Sequence, residues 1–324
     1  MKEDDKVLGA RHLVTHCGAC SPSDRVIVVF DDRTKSLADL IAKEASRVSS
    51  HVTLVRTPSA TMHGEEPPQE TASAMEEGTL IFGIRSHSMA HTSARFRATK
   101  KGARYLSLPD YSEKLMADPS VRVDYQAQFP SVHRLTMQLS SAKTARVTTR
   151  SGTDIRLDLT SRQGNCCPGL VTKPGELGSP PDIESNISPV EENSNGVIIV
   201  DGSIPFPGFG LLQEPISIYV KDGLISSISG QPDIVGRLNC LFEKYDQRKS
   251  KVLAELGFGM NPLAKLTGVM LTDEGAQKTA HVGFGSNSTV GGKNSVAFHV
   301  DFVFNDPTLY LDDKVVIFDG VIKK

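Results

Sequence analysis

His299-Val300-Asp301 places an imidazole and a carboxylate two residues apart inside an otherwise apolar run, and this spacing can bind a metal. In a strand, residues i and i+2 project from the same face. The two side chains would then point at one place, a common way to hold a divalent first-row metal. Val296, Phe298, Val300, Phe302 and Phe304 around them are apolar. A charged Asp is rarely buried without a partner, so the pair needs an explanation. Two more donors stand in the last 70 residues, Glu255 in Ala254-Glu-Leu-Gly-Phe-Gly-Met-Asn-Pro262 and His281 in Thr279-Ala-His-Val-Gly-Phe-Gly285.

The elements that must position these donors follow from pattern. The first half alternates strand and helix. Arg25–Phe30, Val52–Val55, Thr79–Gly83 and Ala103–Leu108 read as strands. Helical spacing covers Ser36–Val48, a segment opened by Pro67-Pro68, and Ala90–Lys101. That rhythm implies a mostly parallel sheet covered by helices. It holds neither a G-x-G-x-x-G nor a G-x-x-x-x-G-K-[ST] motif, so nucleotide binding has no support. Near residue 140 the pattern becomes β-rich, with turn marks at Gly152, Gly202 and Asp222-Gly223. One helix is expected from roughly Asp233 to Leu256, carrying Glu255 at its end. Gly164–Pro189 contains five prolines and no periodicity, and reads as a long irregular loop beside the site. The expectation is an α/β protein: a mostly parallel α/β domain over 1–140, then a β-rich metal-binding catalytic domain over 141–324.

At 324 residues and 39% hydrophobic content the chain can bury a full core and form two domains. Its 36 Lys+Arg against 38 Asp+Glu leave a net charge of -2. Nucleic acid and anionic membrane select clustered positive charge, so neither is expected as a partner. No apolar run approaches the roughly 20 residues that span a bilayer. The start, Met1-Lys-Glu-Asp-Asp-Lys6, lacks the apolar stretch of a signal peptide, which makes a cytoplasmic protein the expectation. Five cysteines, an odd number, do not suggest a disulfide framework. Cys17-Gly-Ala-Cys20 is a lone C-x-x-C and reads as two free thiols, and Cys166-Cys167 as a vicinal pair in a loop.

Together the C-terminal motifs resemble the aminopeptidase T family of metallopeptidases. The matching stretches run in the family's order: Ser188-Pro-Val-Glu191, Asn195–Gly202, Ala254–Pro262, Asp273-Glu274, Thr279–Gly285, Gly291–Asn294, His299–Asp301 and Leu309–Asp313. The resemblance covers about residue 145 to the end, and Ala90-His-Thr-Ser-Ala-Arg95 adds to it in the first half. It implies two divalent metals held by two Glu, two His and an Asp, which fall on Glu184, Glu255, His281, His299 and Asp301. Glu184 is chosen over Glu176 because it stands five residues before Pro189, as the family's first Glu does. The family's catalytic Tyr lies seven residues after the first His, where this chain has Ser288. Tyr310 is the candidate to replace that phenol. The resemblance extends to relatives that cleave dihydroxypyridine rings with one ferrous ion. Those keep the last His and Asp, but have His where this chain has Glu255 and an apolar residue near His281.

These observations lead to an expected metal-dependent hydrolase of an amide or related C–N bond, acting on a small molecule as an aminopeptidase or specialised amidohydrolase. One or two ions (Zn, Mn, Co or Fe) would activate water, with Glu184 as ligand or general base. The alternative is a mononuclear non-haem Fe(II) ring-cleaving dioxygenase, in which His281 or Glu255 joins His299 and Asp301 in a facial set. His87 and His91, spaced i, i+4 on a possible helix with Arg95 a turn further, can form a polar face toward substrate. The family resemblance implies a homodimer.

Overall fold

The computed structural model describes residues 4–323 and shows a mixed α/β protein. One compact unit comprises Met1–Ala127 with Pro168–Pro181. Its sheet is built on Arg25–Phe30 (β1), His51–Arg56 (β2), Leu80–Ile84 (β3) and Arg104–Ser107 (β4), all parallel in the order β2-β1-β3-β4. A short strand, Leu177–Gly178, adds to β4 at the edge, also parallel. β1 and β3 are apolar runs buried on both sides, as expected of strands with helices on each face.

The helices of this unit include Asp5–His12 (α1), Lys35–Ala45 (α2), Gln69–Glu77 (α3) and Ser93–Lys100 (α4). α2 buries Leu37, Ala38, Ile41, Ala42 and Ala45, the stripe that helical spacing requires. α4 starts later than its pattern suggests. The Thr92 hydroxyl accepts from the Arg95 amide and caps the helix, closing it off from the residues before. His87 and His91 therefore precede the helix and do not share its face.

The other unit comprises Gln128–Cys167 and Asp182–Lys324 and carries two sheets. The larger has eight strands, with Asn195–Val200, Asp154–Asp158, Thr144–Thr148 and Thr308–Leu311 in its middle. The other has seven strands, and its central neighbours are His299–Asn305, Thr279–Gly285, Leu253–Gly259 and Glu184–Ile187, in that spatial order and antiparallel. Among the described residues, no helix is long and apolar enough to cross a membrane.

Two expectations about this unit are corrected. The helix expected over 233–256 ends early, spanning Pro232–Glu243, and Glu255 lies on the Leu253–Gly259 strand. All seven residues of that strand are buried, so it shows no alternation that would have marked it as a strand. The stretch Gly164–Pro189 is not one irregular loop. It holds the strands Gly164–Cys167, Leu177–Gly178 and Glu184–Ile187, with its prolines in the connections. Cys166 and Cys167 are accordingly strand residues. All five cysteines are free thiols.

Candidate metal centre

The site is assembled by strand register. Glu255 pairs with Gly283, and Gly283 with Asp301 across the next strand. Gly257 pairs with His281, Gly259 with Glu184, and Gly285 with His299. Directly opposed residues in antiparallel strands share a face, so Glu184, Glu255, His281, His299 and Asp301 all project from one side of the seven-stranded sheet. They form two trios that share Glu255: Glu184–Glu255–His281 and Glu255–His299–Asp301. In each, one ligand atom per residue lies within 4.8 Å of the others.

The distances are short. His299 Nε2 is 3.1 Å from Asp301 Oδ1 and 3.5 Å from Glu255 Oε2. His281 Nε2 is 3.2 Å from Glu184 Oε2 and 3.9 Å from Glu255 Oε1. His299 Nδ1 meets the Ser286 carbonyl at 2.8 Å, which turns Nε2 toward the carboxylates. Asn186 Nδ2 donates to Glu184 Oε1 at 2.6 Å and fixes that carboxylate. Glu184, Glu255, His281 and Asp301 are buried, while His299 is half-buried.

Three observations show that these residues fit a metal. Glu184 Oε2 and His281 Nδ1 are buried with no hydrogen-bond partner, a costly state for polar atoms unless something else binds them. Two glycines make room in the hollow for the imidazoles. A Cβ on Gly257 would sit 2.1 Å from His281 Nε2, and one on Gly283 would sit 2.5 Å from His299 Nε2. The charge is also unbalanced. Asp182 and Glu274 act on the same ligands, and burial pushes both of these carboxyls well above the usual range. A divalent cation offsets such an excess of acids.

Proton competition should be visible in metal binding. Burial opposes charge on His299, but the Asp301 and Glu255 carboxylates overcome it and push its pKa up to about 9 in the metal-free protein. Metal requires the neutral imidazole. Apparent affinity should therefore rise with pH up to about 9, by as much as about tenfold per unit. The matching stability term has the opposite sense. The imidazolium–carboxylate pairing stabilises the metal-free protein fully below the ordinary histidine pKa of about 6.5, and is lost as pH rises through about 9. Titration with Mn²⁺ from pH 6 to 9.5 checks this, and a flat profile would contradict it.

The remaining candidates stand on other elements. Glu176 accepts from the Thr172 and Lys173 amides in a turn of the first unit. His91 is exposed there, and Arg95 is buried with its guanidinium on the Ala90 carbonyl and Thr99. Tyr310 belongs to the eight-stranded sheet, its ring 5.9 Å from the Arg146 guanidinium. Ser288 is exposed. Asp182 escaped sequence reasoning, although its i, i+2 relation to Glu184 was an available signal.

The family model described as 2,5-dihydroxypyridine 5,6-dioxygenase (NicX) matches residues 13–324. The enzyme of that name from Pseudomonas putida strain KT2440 is 25% identical over 192 residues, 56% of this chain and 55% of that one. The sequence match thus spans about half the length of that relative. The solved structure of the Pseudomonas putida KT2440 2,5-dihydroxypyridine dioxygenase superposes with a TM-score of 0.85 at 20% identity, covering 98% of this chain and 96% of that one. Wild-type AmpT from Thermus thermophilus follows at 0.69 and 13% identity, covering 99% of each. At these identities both likenesses establish the fold. The expected metallohydrolase, whether metalloprotease, aminopeptidase or amidohydrolase, is overturned by the family match. The donor types misled because imidazole and carboxylate ligands serve hydrolases and oxygenases alike. The chain belongs to the 2,5-dihydroxypyridine 5,6-dioxygenase family.

Proposed function

We propose that this protein is a non-haem iron dioxygenase that opens a hydroxylated pyridine-type ring. The observation that carries the reading is the Glu255–His299–Asp301 trio, three donors converging from adjacent strands in a family of ring-cleaving oxygenases. One imidazole and two carboxylates would hold ferrous iron and leave positions open, a variation on the two-histidine, one-carboxylate facial set. When bound, the iron supplies the place where a ring hydroxyl and O₂ meet and exchange electrons.

The chain's own groups do the rest. The Ser286 carbonyl holds the His299 ring with Nε2 toward the centre. Glu184, steadied through Oε1 by Asn186, has Oε2 free of hydrogen bonds and 3.2 Å from His281 Nε2. It is placed to take the proton of the ring hydroxyl at that atom, with His281 beside it to share the charge. Gly257 and Gly283 let the His281 and His299 imidazoles lie close over the sheet. For a 2,5-dihydroxypyridine opened between C5 and C6, both oxygen atoms enter the product. The hydroxyl-bearing carbon becomes a carboxyl group, and its neighbour becomes a formyl group on nitrogen.

The test is oxygen uptake by protein loaded anaerobically with Fe²⁺ and given 2,5-dihydroxypyridine. One O₂ should disappear per ring opened, with no turnover before oxygen is admitted. Equal turnover without oxygen, or loss of the substrate with no O₂ consumed, would overturn the reading.

A further inference from the structure

The first unit carries a second group of unsatisfied polar atoms, independent of the ring-cleaving reading. In its sheet order β2-β1-β3-β4, all parallel, successive strands are added on one side of β1 and then on the other, so the strand order switches between β1 and β3. At such a point the loops leaving the carboxyl ends of the strands diverge and form a crevice where ligands bind. Asp31 follows β1 there, and Arg85 and Ser86 follow β3.

Arg85 is only 2% exposed, yet its guanidinium makes a single hydrogen bond, from Nη2 to the Pro58 carbonyl at 2.9 Å. Its Nε and Nη1 are buried without partners, as are Ser86 Oγ, His87 Nδ1 and Tyr105 Oη. A Cβ on Gly83 would lie 2.0 Å from Tyr105 Oη, so the phenol lies across Gly83. Arg85, just past the end of β3, acts electrostatically on that phenol. Arg95, from α4, is also buried and acts electrostatically on the same phenol. Among the described residues neither guanidinium has a salt bridge. Asp31 does not supply one, because its oxygens accept from the Ser86 and Arg33 amides and the Thr34 hydroxyl.

A buried guanidinium with unmade bonds is strongly unfavourable unless a counter-charge reaches it. The 57–66 segment covers the crevice, through the Pro58 carbonyl on Arg85 and the pairing of Gly64 and His63 with Ser88. We infer that this crevice is a binding site for a small oxyanion, held by Arg85, Ser86 and Tyr105 with Arg95 behind them. The shared chemistry fits a carboxylate or a phosphate, and the segment must open for the anion to enter.

The test is calorimetric titration of the full chain with sodium acetate and with sodium phosphate, against chloride at matched ionic strength. One saturable site should appear for one of these anions, which identifies the source. Arg85→Met should weaken it by at least about tenfold, the effect of losing a charged hydrogen bond. Tyr105→Phe, which keeps the ring and removes only the hydroxyl, should weaken it severalfold and guards against misfolding of the first variant. Metal content should stay unchanged in both variants, separating this site from the metal centre. Absence of saturable binding to either anion, or equal binding by wild type and Tyr105→Phe, would overturn the proposal. So would a high-resolution structure in the anion that titrates, showing only ordered water on Arg85.

Discussion

Replacing His299 and Asp301 together by Ala should leave a folded protein that no longer retains metal. Both side chains face the hollow, while the alternate residues Val300 and Phe302 pack into the core. The double change removes two of the three donors in the Glu255–His299–Asp301 trio. Metal affinity should fall by well over about 100-fold, more than the loss of a supporting partner costs. Elemental analysis after dialysis measures the metal, and far-UV circular dichroism checks the fold. Full occupancy in the double variant would sink the assignment of this trio.

A single methyl group at Gly283 should be nearly as damaging. The added Cβ would lie 2.5 Å from His299 Nε2, 2.6 Å from Cε1 and 2.9 Å from Asp301 Oδ1. To escape, the imidazole must swing away, breaking its 2.8 Å contact with the Ser286 carbonyl. A misplacement near 1 Å in a reacting geometry costs about 100-fold in rate, so Gly283→Ala should lose at least that much in kcat/KM. The thermal midpoint should change little, since the methyl group enters the hollow and leaves the apolar core untouched. Steady-state kinetics alongside a melting curve separates the two effects. Activity within about twofold of wild type would show that the hollow is not the reaction site.

The parallel sheet was legible because its strands are short apolar runs bounded by turn residues, and because α2 repeats its apolar positions at helical spacing. The strand that carries Glu255 was not legible. Buried on both faces, Leu253–Gly259 lacks the two-residue alternation of a half-exposed strand, and a preceding amphipathic helix invited its extension. Glu184 was located by its distance from Pro189, whereas the nearby Asp182 resembles a solvated acid in a proline-rich stretch. Its burial comes from non-local packing, which Pro180 and Pro181 do not announce. The reaction was the least legible part. Two carboxylates and an imidazole constrain the class of metal far more tightly than the bond that is broken.

The edge strand Leu177–Gly178 has a consequence for how the chain is made. It completes the first unit's sheet, with the Tyr105 amide donating to the Glu176 carbonyl, yet it emerges only after Gln128–Cys167 has been synthesised as part of the other unit. The amino-terminal portion therefore cannot finish folding when its own residues leave the ribosome, and β4 waits with an unpaired border that is open to association with other chains. A fragment cut near residue 140 would keep that border exposed permanently. Dissecting this protein into independently stable halves thus calls for a graft of 168–181 onto the first piece, because a single scission leaves the sheet unfinished.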